Sequence, residues 1–368
     1  MSGERILKPF LRITILALTV ALGSSALAQD TPQRIHREKE QMRSPAVSPD
    51  GATLVYSVWE EKRYAHKLRV LSIGKRVKAS DNGWGVGAAF SPDGSQLLYL
   101  SEAKGDGKYW ITVASADGKS PRDLRFEGSN PEGNPPSWSP SGQEILLINP
   151  AGTYLIPVVG AEGRRITVKT LGNASWSPDG KQIVYELKGG GISTLTVESG
   201  DIDGITRSRV GLSANWSPSG QHIAWIEDDE AVVFDVKSGK RTKVGPAIRV
   251  VWTHEGGGLL LLTETGGFTE GATGPIPDLA VQWTSLNGTE KLAIELPKVH
   301  AVITGENGRT LFFTVTGDGL YRMKLPALPG AQEGAVTPTE PVDKTKPKLP
   351  MKRPGNRKID ADTLKAIQ

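Results

Sequence analysis

The chain has no cysteine among its 368 residues. That excludes disulfides, thiol catalysis and thiolate-bound metal. Its five histidines, His36, His66, His222, His254 and His300, are scattered without metal-ligand spacing and read as ordinary surface or turn residues. There is no G-x-S-x-G elbow for a serine nucleophile. No glycine-rich loop follows a strand and opens a helix, so a phosphate cradle is missing too. The sequence therefore offers no catalytic residue, no cofactor-binding residue and no metal ligand set. It predicts a protein that is not an enzyme and carries no cofactor. Long apolar runs are also lacking, apart from one near the N-terminus.

That run, Ile13 to Leu22, follows the basic residues Arg5, Lys8 and Arg12 and precedes Ala26-Leu27-Ala28. Positive charge, a short apolar stretch and a small-residue site form the export pattern. Residues 1–28 read as a signal peptide cleaved before Gln29, with a periplasmic or secreted destination. No cysteine is present to carry a lipid. The formal net charge is +4, but the excess sits at the two ends. The body between them is mildly acidic, which gives no footprint for nucleic acid.

What the chain does have is 43 glycines, 25 prolines and a repeated phrase. Ser48-Pro49-Asp50-Gly51 recurs as Ser91-Pro92-Asp93-Gly94, Ser139-Pro140-Ser141-Gly142, Ser177-Pro178-Asp179-Gly180 and Ser217-Pro218-Ser219-Gly220. Two degenerate copies follow, Thr253-His254-Glu255-Gly256 and Gly305-Glu306-Asn307-Gly308. The glycines lie 36 to 52 residues apart, the length that a four-stranded propeller blade consumes. An aromatic stands before five of the phrases, at Phe90, Trp138, Trp176, Trp216 and Trp252, and an apolar β-prone run follows each phrase. Third strands are expected at Leu68 to Ile73, Trp110 to Ala114, Ala231 to Val236 and Leu320 to Leu325. Short fourth strands are expected at Arg165 to Val168 and Thr206 to Val210. Proline sets φ at the turn, Asp or Ser bonds the local backbone, and glycine takes the positive φ.

These residues resemble the TolB-type, WD-like β-propeller repeat family over roughly residues 31–327. The expected fold is all-β, a β-propeller of seven blades of four antiparallel strands. A six-bladed ring with one misread copy is the alternative. Gln33-Arg34-Ile35-His36-Arg37 is positioned to supply the outer strand missing from the last blade. The resemblance implies a non-catalytic scaffold that binds a protein partner in the cell envelope. A TolB partner of that kind is the peptidoglycan-associated lipoprotein. Little room separates the signal peptide from the first blade, so a TolB-like N-terminal α/β domain is not expected. The alternative function is a propeller lyase or glycosidase acting on polysaccharide in the central channel.

The propeller is expected to span 29–330. Residues 331–368 read as a Pro/Lys-rich disordered tail, whose basic run from Lys344 to Lys358 suits weak contact with an anionic surface. A monomer is expected. Loops joining second to third strands, and those linking blades, should share one face. They include Trp59 to Tyr64, Asn82-Gly83-Trp84, Lys104 to Gly107, Glu127 to Pro136, Thr263 to Asp278 and Lys298-Val299-His300. Trp59, Arg63, Tyr64 and Trp84 are the candidate binding residues, because aromatic and arginine side chains anchor interfaces. The acidic run Glu227-Asp228-Asp229-Glu230 reads as a solvated hairpin tip.

Overall fold

The computed structural model describes residues 30–73, 78–102, 108–128, 135–160, 162–167, 171–187, 190–206, 212–253, 257–271, 274–305 and 310–325. By contacts the chain divides into Met1–Ala331 and Gln332–Gln368. Residues 1–29, where the signal peptide was expected, and the second unit lie outside the described residues. Among the described residues every regular element is a strand.

The strands form seven four-stranded antiparallel ladders. After β1 (Gln33–Arg37), ladder 1 comprises β2 (Arg43–Val47), β3 (Thr53–Glu60), β4 (Ala65–Ser72) and the first half of β5 (Lys78–Phe90). Ladder 2 takes the second half of β5, then β6 (Gln96–Glu102), β7 (Tyr109–Ser115) and β8 (Arg122–Gly128). Ladder 3 holds β9 (Ser137–Trp138), β10 (Glu144–Asn149), β11 (Gly152–Pro157) and β12 (Arg164–Thr167). Ladder 4 holds β13 (Gly172–Trp176), β14 (Gln182–Glu186), β15 (Ile192–Thr196) and β16 (Ile202–Thr206). Ladder 5 holds β17 (Leu212–Trp216), β18 (His222–Glu227), β19 (Glu230–Asp235) and β20 (Arg241–Pro246). Ladder 6 holds β21 (Arg249–Trp252), β22 (Gly258–Gly271), β23 (Gly274–Ser285) and β24 (Lys291–Val299). Ladder 7 holds β25 (Ala301–Thr304), β26 (Thr310–Val315) and β27 (Gly319–Lys324), and β1 completes it against β27.

The repeated phrase makes the turn between first and second strands. In all five full copies the glycine N–H donates to the serine carbonyl at 2.8–2.9 Å. The buried serine Oγ accepts the N–H five residues on, at 2.9–3.1 Å. It donates to Asp50, Asp93 and Asp179 at 2.6–2.7 Å in the copies that carry aspartate. Each of these carboxylates also accepts a backbone N–H. The serine bond above all holds the carboxyl below its ordinary range. The glycines have φ between +68° and +71°, and successive turns stack. A Cβ on Gly94 would lie 3.3 Å from the ring of Pro49, and one on Gly142 3.6 Å from that of Pro92.

Apolar side chains alternate between the two faces of each ladder, so one strand feeds two cores. On β6, Leu97 and Tyr99 pack toward ladder 1, while Leu98 and Leu100 pack toward ladder 3. Burial on both faces explains why these strands read as continuous apolar runs. The cores continue pair by pair between ladders, and the last joins Phe312 and Leu320 of ladder 7 to Leu54 and Tyr56 of ladder 1. Tryptophans tie neighbours together as well. The indole N–H of Trp138 donates to Ala89 O at 3.1 Å, and that of Trp252 to Asn215 O at 3.2 Å.

Gln33–Arg37 takes the outer place in ladder 7, as its sequence position suggested. Glu38, just beyond, is buried and accepts bonds from Tyr56 OH at 3.0 Å and from Arg69. Arg34 pairs with Asp318 across the same closure. Several expectations need correction. The fourth strand of ladder 4 already begins at Ile202, four residues before the expected start at Thr206, because the turn at Gly200 restarts pairing at once; residues 207–210 of the expected strand lie outside the described residues. Thr263 to Asp278 is mostly paired strand rather than loop. Asn82-Gly83-Trp84 lies inside the unbroken strand β5. Glu127 and Lys298, expected in links between blades, still belong to β8 and β24. Lys104 to Gly107 lies outside the described residues.

Candidate functional site: the hairpin face

In a four-stranded antiparallel meander, the turn between second and third strands lies at the end where the chain enters and leaves. All such turns therefore share the end that carries the links between ladders. At ladder 1 this end brings the four candidate residues together. Trp59 lies at the end of β3, Arg63 and Tyr64 form the turn, and Trp84 comes from β5, opposite Lys67. The Arg63 guanidinium lies 4.9 Å from the centre of the Trp84 ring, within cation–π range. Trp59 meets Tyr64 edge-on at 6.3 Å and His66 at 5.0 Å. Tyr64 has φ +52° and is 75% exposed. The turn closes through Arg63 N–H to Glu60 O at 3.2 Å and Tyr64 N–H to Glu61 O at 3.3 Å. Beneath it, Lys67 and Arg69 share Asp81 at 2.6 and 3.4 Å. The cluster combines two large π faces, a phenol tip and a guanidinium, all at least partly open to solvent.

The first strands line a cavity of about 410 Å³. Its wall includes Ser44, Gly87, Pro135, Asn173, Ser213 and Asn215. Four of these strands carry the same one-residue bulge, between Arg43 and Ala46, Val86 and Ala89, Gly172 and Ser175, and Leu212 and Asn215. In each bulge one residue has positive φ: Ser44 at 46°, Gly87 at 63°, Asn173 at 28° and Ser213 at 59°. β21 and β25 pair without a bulge, and no described residue of ladders 6 and 7 lines the cavity. Glu186 braces the wall by accepting from Asn173 Nδ2 at 2.9 Å and from the Ser213 N–H. The described lining has Ser, Asn, Ala, Gly, Pro and two aliphatic residues, with no charged side chain.

Sequence reasoning missed three polar clusters outside this cavity. Glu227 is buried, not solvated; it accepts the Trp225 indole N–H at 3.2 Å and pairs with Arg241. Asp228 and Asp229 form the tip, both with positive φ. His300 is no surface residue, its side chain being 4% exposed. Its Nδ1 accepts the Thr316 N–H at 2.8 Å, so Nε2 carries the proton and faces Asp278 Oδ1 at 3.3 Å. Asp278 also accepts from Thr269 Oγ1 at 2.9 Å and meets Lys298 at 3.3 Å. Burial pushes the His300 imidazole below its ordinary pKa. The third cluster is Glu38 with Arg69 and Tyr56; burial first, then the Glu38 charge, raises the Tyr56 phenol well above its usual range. The only sequence signal for these groups was an isolated polar residue beside an apolar run. Among the described residues, no group of three or more His, Asp or Glu side chains is arranged to hold a metal ion.

A family model described as the TolB beta propeller domain matches residues 28–244. The chain belongs to the TolB β-propeller family. Among solved structures, this TolB-type propeller is similar to an oligogalacturonate lyase in complex with manganese. That match has a TM-score of 0.58 at 11% identity and covers 82% of this chain and 99% of the other. It is also similar to TolB from Acinetobacter baumannii, with a TM-score of 0.49 at 15% identity over 75% of this chain and 80% of that one. At such identity the lyase likeness speaks for the propeller fold alone. No curated protein matches the chain.

Proposed function

We propose that this TolB-type propeller is an exported, non-catalytic scaffold that docks a protein partner in the cell envelope. In this reading residues 1–28 are a cleaved signal peptide and the seven ladders are the blades of one monomeric ring. Residues 331–368 are a Pro/Lys-rich tail, of which 340–368 is dispensable for folding. The partner binds at the hairpin face through Trp59, Arg63, Tyr64 and Trp84. The observation that carries this is their assembly into one open aromatic and guanidinium cluster, the composition of interface anchors. The test is crosslinking of the mature protein in its own envelope fraction, followed by titration of the recovered partner. A discrete protein is expected, and Arg63→Ala with Tyr64→Ala should weaken its binding about tenfold or more. Unchanged affinity overturns the assignment of the face.

A second reading has one observation behind it, the uncharged cavity walled by Ser, Asn and Pro side chains. Such a wall suits a neutral glycan. The described residues of the cavity lining supply no carboxylate or imidazole, so they do not fit the manganese of the similar lyase, and no metal-assisted step follows from them. Recovery of a glycan in place of a protein in the same crosslinking experiment favours this reading.

A further inference from the structure

We infer that the hairpin of ladder 6 is a docking arm, whose β22 edge accepts an extended, basic segment of a partner protein as an added strand. The inference rests on the protein-docking reading and adds a second contact of defined chemistry.

The arm begins where its neighbours stop. β21 pairs with β22 only as far as Leu262, and β24 pairs with β23 only as far as Leu279. Beyond that point, among the described residues, β22 and β23 pair with each other alone, through Phe268 with Pro277, Thr269 with Ile276 and Glu270 with Pro275. Such a hairpin has two edges, and the two are unlike. Proline has no N–H, so Pro275 and Pro277 cannot donate across the hairpin. The ladder bonds of this stretch must run through Ile276 and Thr269, because opposed pairs alternate between bonded and non-bonded. The N–H and C=O of Phe268 and Glu270 then point outward along β22. On the β23 edge the outward positions are the two prolines, which cannot donate to an incoming strand. Proline is a common guard against unwanted pairing. Here one edge is guarded and the other is open.

The open edge carries recognition groups. Phe268 is 60% exposed, and Glu264 and Glu270 are exposed on either side of it. Residues 262–279 contain Glu264, Glu270 and Asp278 and no lysine or arginine. Edge addition draws affinity from the main chain and specificity from alternate side chains. This edge therefore asks for cationic residues opposite the glutamates and an apolar one beside Phe268.

The arm is also braced before any partner arrives. Thr269 faces inward onto buried Asp278, and Thr265 Oγ1 donates to Asp278 O at 3.1 Å. His300 and Lys298 hold the same carboxylate from β24 and the link that follows it. Gly267 makes this close approach feasible, since a Cβ there would lie 2.6 Å from Asp278 Oδ2. A braced arm loses less entropy on docking.

The test uses the full chain in its native envelope with Phe268→p-benzoylphenylalanine as the photoreactive probe, and maps the crosslinked peptide. The expected product is a partner segment with alternating Lys or Arg residues. With that partner purified, Glu270→Lys and Glu270→Pro should each weaken binding about tenfold, the first by charge and the second by removing the outward N–H. Pro275→Ala on the guarded edge should leave affinity unchanged. Partner addition should slow amide exchange at Phe268 and Glu270. Crosslinking to a second copy of this chain, to glycan, or to a segment without basic residues overturns the inference. So does unchanged affinity of both Glu270 variants when their melting temperatures match the parent. If Arg63→Ala and Tyr64→Ala lose the partner while the Glu270 variants keep it, the arm falls and the docking reading stands. If neither the Phe268 probe nor crosslinking of the parent chain captures a protein, both fall.

Discussion

Two imidazoles show how single residues set the pH response of this protein. Burial first, with Arg69 and Lys298 adding to it at their respective sites, lowers the pKa of His36 and His300. Below about pH 6.5 the unfolded chain takes up protons at these positions that the folded chain resists. Their stabilisation is therefore complete above that pH and is lost as pH falls toward the lowered folded values. A second loss belongs to Asp50, Asp93 and Asp179, whose folded pKa values are depressed. It begins below the ordinary carboxylate value and proceeds as pH falls through the depressed ones. Denaturant titrations at about pH 7.5 and 5.5 should show a fall in midpoint, and His300→Gln should shrink that fall. An equal fall in parent and variant would remove His300 from the account. The aspartate turns were legible in the sequence, but the histidine response was not, because a lone histidine carries no sign of what packs around it. His300 becomes informative only when the fold brings Asp278 and the Thr316 N–H to its two nitrogens.

At the scale of the element, the Ser-Pro-Asp/Ser-Gly turn was the most legible feature of the chain. Its residues act locally, so their spacing in sequence is their spacing in the fold. The same holds for β4, β7, β19 and β27, whose apolar runs mark them directly. Reading failed where local signs mislead. Thr263 to Asp278 read as a loop between second and third strands, yet a Cβ at Gly267 would crowd the Asp278 carboxylate, and Gly271 and Gly274 continue the pairing. Asn82-Gly83-Trp84 read as a link between blades, but β5 passes through it, with Gly83 at φ +101°. The candidate residues Trp59, Arg63, Tyr64 and Trp84 were legible as types, whereas their mutual contact depended on the register of β5. Stacking of the turns leads to a prediction. Gly94→Ala should cost about 1–2 kcal/mol in denaturant unfolding, from left-handed strain and crowding against Pro49. Trp138→Phe should cost about 1 kcal/mol through loss of the bond to Ala89 O. A neutral result for Gly94→Ala would mean that the turn relaxes away from its neighbour.

The whole molecule depends on how its ends meet. β1 supplies the last strand of ladder 7, and Glu38 then fastens the chain to Tyr56 and Arg69 of ladder 1. Glu38→Ala should destabilise by about 2 kcal/mol, because it leaves a buried phenol and part of a guanidinium without their acceptor. Arg34→Ala, on the half-exposed pair with Asp318, should barely shift the melt. Equal effects would mean that the closure is held by the strand pairing and not by the buried group. Elsewhere among the described residues, consecutive ladders share no paired strand, though single side-chain bonds cross between them. β5 is different. Its first half bonds to β4 and its second half to β6, so ladders 1 and 2 share one continuous seven-stranded network. A pull or a thermal fluctuation that peels the outer edge of ladder 1 thereby tugs on the inner edge of ladder 2. Prising these two ladders apart means breaking a continuous strand and not only a packed seam, so amide exchange along Lys78–Phe90 is expected to be slow on both sides of Gly83.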